Sequence, residues 1–360
     1  MKKRLLGIDL IRGIAAYAVI QVHSGDETWG LPIESSAIIF RLLFYFAVPF
    51  FLGTSFFFSI HKMTNRISWE FWKSKIERIL FPYFVWSLLY FVIRFTSFYL
   101  TEESTKLHLL VSDPLALIFL GGTSYQLYFL PLLFTGTLLT LLIKNLSLER
   151  ISNKSLMFFL VLSLVLYQAL IISGNDFRLG FYDSFSNLPA LNSLNNNPLI
   201  RFILVQVSWL LRCLPYLLLA IVLDRWLSQS NQNLYNIRKL VILVASFLFV
   251  NTLKIYIGSN GLADIVVAFL LLLIGIILSK HIGNNNTVKS LGACSFGVYL
   301  IHPIIMNIIE FVEFKLLNSP LKQITIISML EISIPTFLIS WFLVFLLKKK
   351  KHLSFFLFGA

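Results

Sequence analysis

The first hydrophobic stretch of the chain, Ile8 to Asp26, carries Asp9, Arg12 and His23. Their types point to chemistry. An imidazole, with an ordinary pKa near 6.5, is the side chain best suited to take a proton from a hydroxyl near neutrality. A guanidinium stays charged and holds an anionic group or a carboxylate, but it cannot shuttle protons. Placing Arg or Asp at the centre of a membrane helix costs roughly 2.5–3.5 kcal/mol, so such residues are functional candidates by default. The competing view is an ordinary anchor helix with an Arg and a His snorkelling at opposite ends. It leaves their common face and the nearby Asp unexplained.

That common face requires a helix. At about 100° per residue, the step from Arg12 to His23 returns to nearly the same side, roughly 16 Å further along the axis. Asp9 lies one turn before Arg12, within pairing reach. Gly13, Ala15 and Ala16 keep the helix thin, so that a neighbour approaches closely.

Composition supplies the surroundings. The chain is 57% hydrophobic and 13% charged, with 35 Phe, whereas soluble domains carry about 25% charged residues. This predicts an all-α membrane protein, residues 1–360 forming a single integral-membrane domain. About ten segments approach the length needed to cross a hydrocarbon core of about 30 Å. They are Leu6–Gly25, Ala37–Ile60, Ile79–Ser97, Tyr125–Ile143, Leu156–Ile172, Phe202–Leu223, Leu240–Ile257, Leu262–Leu278, Leu291–Phe311 and Ile324–Leu347. Pro114–Gly122 is too short to cross and reads as a re-entrant or interfacial piece.

With the N-terminus inside, twenty of the basic residues fall in inner loops, among them Lys2, Lys3, Arg4, Lys62, Arg66, Arg150 and Lys348–Lys351. Only four, Lys106, Arg178, Lys315 and Lys322, fall outside. Both termini are therefore expected to be cytoplasmic, and the net charge of +13 reflects topology, not nucleic-acid binding. The Asn-rich loop Ser173–Pro198 falls outside and reads as a lid or a solvated connector. Asn285-Asn286-Thr287 fits a glycosylation pattern but falls inside. Cys213 and Cys294 have no metal-like spacing and read as packing residues, and no metal is expected. No signal peptide is evident, nor an internal repeat, which weighs against a transporter built from two related halves.

Five motifs, in order, resemble those of the acyltransferase-3 family of integral-membrane acyltransferases. Gly7-Ile-Asp-Leu-Ile-Arg-Gly-Ile-Ala followed by His23 is similar to its D-x-x-R-G-x-A opening and Arg-x10-His spacing. Phe46-Ala-Val-Pro-Phe-Phe-Leu-Gly-Thr-Ser55 is similar to V-P-x-F-F-x-x-S-G. Lys75-Ile-Glu-Arg-Ile-Leu-Phe-Pro-Tyr-Phe-Val-Trp86 is similar to R-x-x-R-I-x-x-P-Y-x-x-W. Tyr125-Gln-Leu-Tyr-Phe-Leu130 partly matches H-L-W-F-L. Leu291-Gly-Ala-Cys-Ser-Phe-Gly-Val-Tyr-Leu-Ile-His-Pro303 is similar to L-G-x-x-S-x-G-x-Y-L-x-H-P. The resemblance spans residues 7 to about 345. The chain departs from it at Phe56, at Lys75, and at Gln126 and Tyr128.

The resemblance implies transfer of an acyl group, commonly acetyl from acetyl-CoA, to a hydroxyl of an envelope saccharide or another small acceptor, at a bacterial inner or plasma membrane. His23 is then the catalytic residue, either as general base or as carrier of the acyl group. Asp9, Arg12, Arg41, Gln126, Tyr299 and His302 are the supporting candidates, His302 reading as structural support more than as a base. Lys73, Lys75 and Arg78, before Pro82, are candidates for the donor's phosphates, although the inside bias alone also accounts for them. Glu310 and Glu331 are candidate partners for the intramembrane arginines Arg41, Arg94 and Arg212. The rival class is a transporter or exporter of a lipid-linked saccharide.

Overall fold

A computed structural model describes residues 4–25, 31–61, 69–145, 151–178, 181–229, 236–258, 260–313 and 323–359. Asp26 and the loop cations Lys2, Lys3, Lys62, Arg66, Arg150, Lys315 and Lys322 lie outside the described residues. In chain order the first helices are α1 Leu6–His23, α2 Ser35–Leu42, α3 Ala47–His61, α4 Trp69–Lys75, α5 Phe81–Leu100, α6 Ser104–Val111, α7 Pro114–Phe119, α8 Phe129–Asn145 and α9 Asn153–Ile172. After a hairpin of β1 Asn175–Arg178 and β2 Phe181–Ser184 come α10 Pro189–Asn192, α11 Pro198–Gln229, α12 Ile237–Ile257, α13 Gly261–His281, α14 Asn286–Phe311, α15 Ile326–Lys348 and α16 Lys351–Phe358.

Among the described residues, nine helical stretches are long and apolar enough to cross a membrane. The tenth expected segment is the shorter α8: residues 125–128 form turns, and the helix starts only at Phe129. The segment expected at Ala37–Ile60 is interrupted by turns at residues 43–46, between α2 and α3. α4 and α5 join through a π-helical stretch, Ile76–Leu80. Pro82 explains it locally, because it has no N–H for the Arg78 carbonyl and its ring crowds that turn.

Helix starts are set by polar caps, which accept the backbone N–H groups a first turn leaves over. Asn236, Asn260 and Asn285 cap α12, α13 and α14, and Thr325 with Ser328 forms a capping box on α15. The Asn285 pattern thus has a structural role of its own.

The described residues form two compact units. Unit 1 comprises Met1–Thr54 and Ser230–Leu353. In it α1 packs on α13, α14 and α15, and α12 packs on α13. Gly7 and Gly275 make the α1–α13 crossing tight: a Cβ on Gly7 would collide with the Gly275 carbonyl, and Gly7 N–H donates to Ser279 Oγ at 2.9 Å. α12 exposes Val241, Ile242, Leu248, Phe249 and Tyr256, side chains suited to lipid contact.

Unit 2 comprises Ser55–Gln229 and Ser354–Ala360, with α8, α9 and the hairpin against α11. The segment 173–198 is held by its own amides. Asn187 Nδ2 donates to the Ile172 carbonyl at 3.0 Å, Asn195 Nδ2 to that of Ser184 at 2.9 Å, and Ser184 Oγ to Ser208 Oγ on α11 at 2.9 Å. Ser184 and Asn195 are buried, so this segment is a docked cap on α11.

Candidate functional site

α1 and α14 run parallel, their starts meeting near Asp9 and Gly292 and their far halves at His23 and His302. Gly13 touches Leu291, Gly292 touches Asp9, and the rings of His23 and His302 stack with centroids 6.0 Å apart and planes inclined by 27°. α15 runs antiparallel to both, placing Ser333 beside Gln21 and Lys348 beside Ala293. α1 is one unbroken helix through Arg12 and His23, as their spacing requires.

His302 is fully buried, and its Nδ1–H donates to the Tyr299 carbonyl at 2.7 Å. Pro303 explains why that carbonyl is open to it. In a helix the Tyr299 oxygen would accept from residue 303, but proline has no N–H. Because a carbonyl only accepts, the proton is fixed on Nδ1, and Nε2 is the basic nitrogen of the neutral ring. The Tyr299 ring lies 6.2 Å from the imidazole. Tyr299, His302 and Pro303 are thus one local device that sets the ring's orientation and tautomer.

Around this end of α1 lie further polar groups, of which Tyr17, Gln21 and Ser333 were not singled out by the sequence. Gln21 is fully buried, and its Oε1 accepts from Tyr17 OH at 3.1 Å and from Ser333 Oγ. Its Nε2 is buried with no hydrogen-bond partner among the described residues. Arg41 Nη1 donates to the Gly25 carbonyl at 3.2 Å, fixing the backbone just after His23. At the far end of α14, burial and then the neighbouring Glu331 push the Glu313 carboxyl above the usual carboxylate range. Glu331 therefore faces another acid, and Glu310 is buried.

The opposite end of α1 holds cations and Asp9. Asp9 forms an ion pair with Arg4, from just before the helix, a partner the sequence did not point to. Arg12 lies within electrostatic reach of both Asp9 and Arg4. A Cβ on Gly292 would run into Asp9, so glycine is what admits the carboxylate between α1 and α14.

The remaining candidates belong to unit 2. Lys75 Nζ donates to Ser59 Oγ at 2.9 Å and lies over the Phe71 ring. Lys73 faces Glu77 at 4.0 Å, and Arg78 is exposed. Gln126 is buried and accepts from Ser124 Oγ at 2.6 Å. His61 Nδ1 lies 2.8 Å from Asp224 Oδ1.

A protein-family comparison agrees with the local architecture. The acyltransferase 3 model, described as an acyltransferase domain, matches residues 5–346. The chain belongs to the acyltransferase 3 family. No curated protein and no solved structure matched.

The family's motifs acquire physical roles here. In the P-Y-x-x-W element, Tyr83 OH donates to the Ile118 carbonyl at 2.8 Å and accepts from Gly121 N–H at 3.0 Å. Gly121 needs its φ of +79° and its missing side chain there. Trp86 Nε1 donates to the Leu357 carbonyl at 2.8 Å, tying α16 to α5. The family's opening Asp and its Leu-Gly element meet as Asp9 against Gly292. Outside the motifs, Arg201 and Asp113 form a buried ion pair, Arg201 Nε lying 2.9 Å from the carboxylate. Asp113 also caps α7 through Leu115 and Ala116 N–H. Arg212 is surrounded by Tyr128, Tyr167, Tyr182 and Tyr216.

Proposed function

We propose that the protein transfers an acetyl or similar acyl group from a cytoplasmic acyl-CoA to a hydroxyl of an envelope saccharide or related acceptor, with His23 as general base. His23 accepts the acceptor's hydroxyl proton as its oxygen bonds to the thioester carbonyl carbon. The C–S bond breaks, and the imidazolium returns the proton to the departing thiolate. His302, set by Tyr299 and Pro303, positions the His23 ring. Arg12 supplies fixed positive charge from the other end of α1, and Lys73, Lys75 and Arg78 contact the donor's phosphates. The orientation is both termini inside and 173–198 outside, in a bacterial inner or plasma membrane. The observation that carries this reading is the stacked His23/His302 pair on α1 and α14 in a chain of the acyltransferase 3 family.

Mass spectrometry of envelope glycans from cells with and without the protein tests it. Loss of an acyl mass increment from one glycan without the protein is the expected result. Identical glycans, with a lipid-linked saccharide accumulating instead, would favour a transporter. For the orientation, cysteines at Asn196 and Lys154 are treated with a membrane-impermeant maleimide on intact cells. Asn196→Cys should label and Lys154→Cys should not; the reverse pattern inverts the topology.

A further inference from the structure

A cavity of about 300 Å³ opens in unit 1 where the start of α14, the end of α15 and the residues before α1 converge. Arg4, Lys289, Lys348 and Lys349 line it, together with Phe345 and Ser290. The four cations come from three separate stretches of chain. Arg4 Nη2 donates to the Lys289 carbonyl at 2.9 Å, and Lys348 Nζ to that of Ala293 at 2.9 Å. Lys349 Nζ sits 4.7 Å from the centre of the Phe345 ring, and Lys289 Nζ is 3.4 Å from Asn286 Oδ1. Asp9 contacts the set through Arg4. Arg4 and Lys348 feel each other's charge. Like charges gathered around a concavity oppose one another, and an inside bias of positive charge requires only that loops carry them, not that they converge.

We propose that this cavity binds a phosphate-bearing anion, with Arg4, Lys289, Lys348 and Lys349 as its cationic walls. The chemistry is charge-assisted hydrogen bonding to phosphate oxygens, Arg4 offering the guanidinium N–H groups that Asp9 and the Lys289 carbonyl leave over and the lysines offering point charges. The size fits: at ~30 Å³ per water, the space equals about ten waters, room for a pyrophosphate or a phosphodiester. Phe345 adds an apolar wall that suits a phosphoester better than a bare ion. The proposal is independent of acyl transfer, because it concerns binding alone.

The test uses the full chain purified in detergent, titrated calorimetrically with sodium pyrophosphate against sodium chloride of equal ionic strength. The same protein is melted in nanodiscs of phosphatidylglycerol and of phosphatidylcholine. Lys289→Gln should raise the pyrophosphate Kd about tenfold, and Lys289→Gln with Lys349→Gln about a hundredfold, at ~1.4 kcal/mol per lost charged contact. Lys289→Arg should retain binding. Lys349 is exposed and Lys289 is half-buried at the rim, so melting without ligand should stay at the wild-type value and report that the variants fold. If the source is a lipid headgroup, the wild type melts higher in phosphatidylglycerol and the double variant loses that increment. A free phosphate compound as the source shows in the pyrophosphate arm alone. Absence of saturable pyrophosphate binding, with a phosphatidylglycerol increment equal in wild type and double variant, overturns the proposal. So does pyrophosphate binding that the double variant leaves unchanged.

Discussion

Where α1 begins, charge is paired: Asp9 is buried, Arg4 neutralises it, and Gly292 leaves room for its carboxylate between two helices. Where α1 ends, two imidazoles stack against each other, and His302 donates to a carbonyl that proline has left open. The first arrangement anchors a helix. Removing one partner strands a charge away from water, which costs stability directly. The second leaves proton-accepting chemistry in place, because a neutral imidazole is tolerated in an apolar setting while keeping a basic nitrogen. The lesson is that polar residues on one helix face need not share a role. Damage at the start of α1 should appear in melting curves, and damage at its end in rate.

Four variants sharpen this contrast, taken from the largest effect down. Gly292→Val drives a branched side chain into Asp9 and should cost about 3 kcal/mol of stability, seen as a lowered Tm of the detergent-purified protein. Arg4→Ala removes an ion-pair partner of Asp9 and should cost about 1–2 kcal/mol, less than a fully buried pair because Arg4 is half exposed. Arg12→Ala should destabilise less than Arg4→Ala, since the Arg4–Asp9 pair survives; the opposite order in Tm would make Arg12 the stronger counter-charge of Asp9. Pro303→Ala restores an N–H that competes with His302 for the Tyr299 carbonyl. Acyl transfer should fall by less than about tenfold, ~1 kcal/mol in the barrier, with Tm unchanged or raised. An unchanged rate would remove the proline from the positioning of His302.

Much of this could be read from the residues. Helix length, the inside bias and the Arg12–His23 register follow from hydropathy and a 3.6-residue period, which are local properties. The five motifs marked residues that the fold engages, such as Tyr83 at Gly121 and Gly292 at Asp9. Arg4 as a partner of Asp9 was missed because it lies before the helix, where periodicity has no force and a cation reads only as topology. Gln21 and Ser333 escaped notice because a single amide or hydroxyl in an apolar run carries no spacing signal, and their contact spans α1 and α15. The hairpin was hidden within a segment rich in Asn and Ser, residues that signal turns, and its docking on α11 depends on buried Ser184 and Asn195. Pairings between segments far apart in sequence, such as Arg201 with Asp113, follow only from the packing.

The most direct test is the rate of acyl transfer by His23→Ala, measured beside wild type on the same detergent-purified preparations, with a melting curve for each. Loss of a general base should lower the rate about 10²–10⁴-fold, and Tm should stay at the wild-type value because one partly exposed imidazole adds little to a bundle of packed helices. Wild-type turnover by His23→Ala would contradict the account, removing the residue from the chemistry and leaving the His23/His302 stack a packing contact.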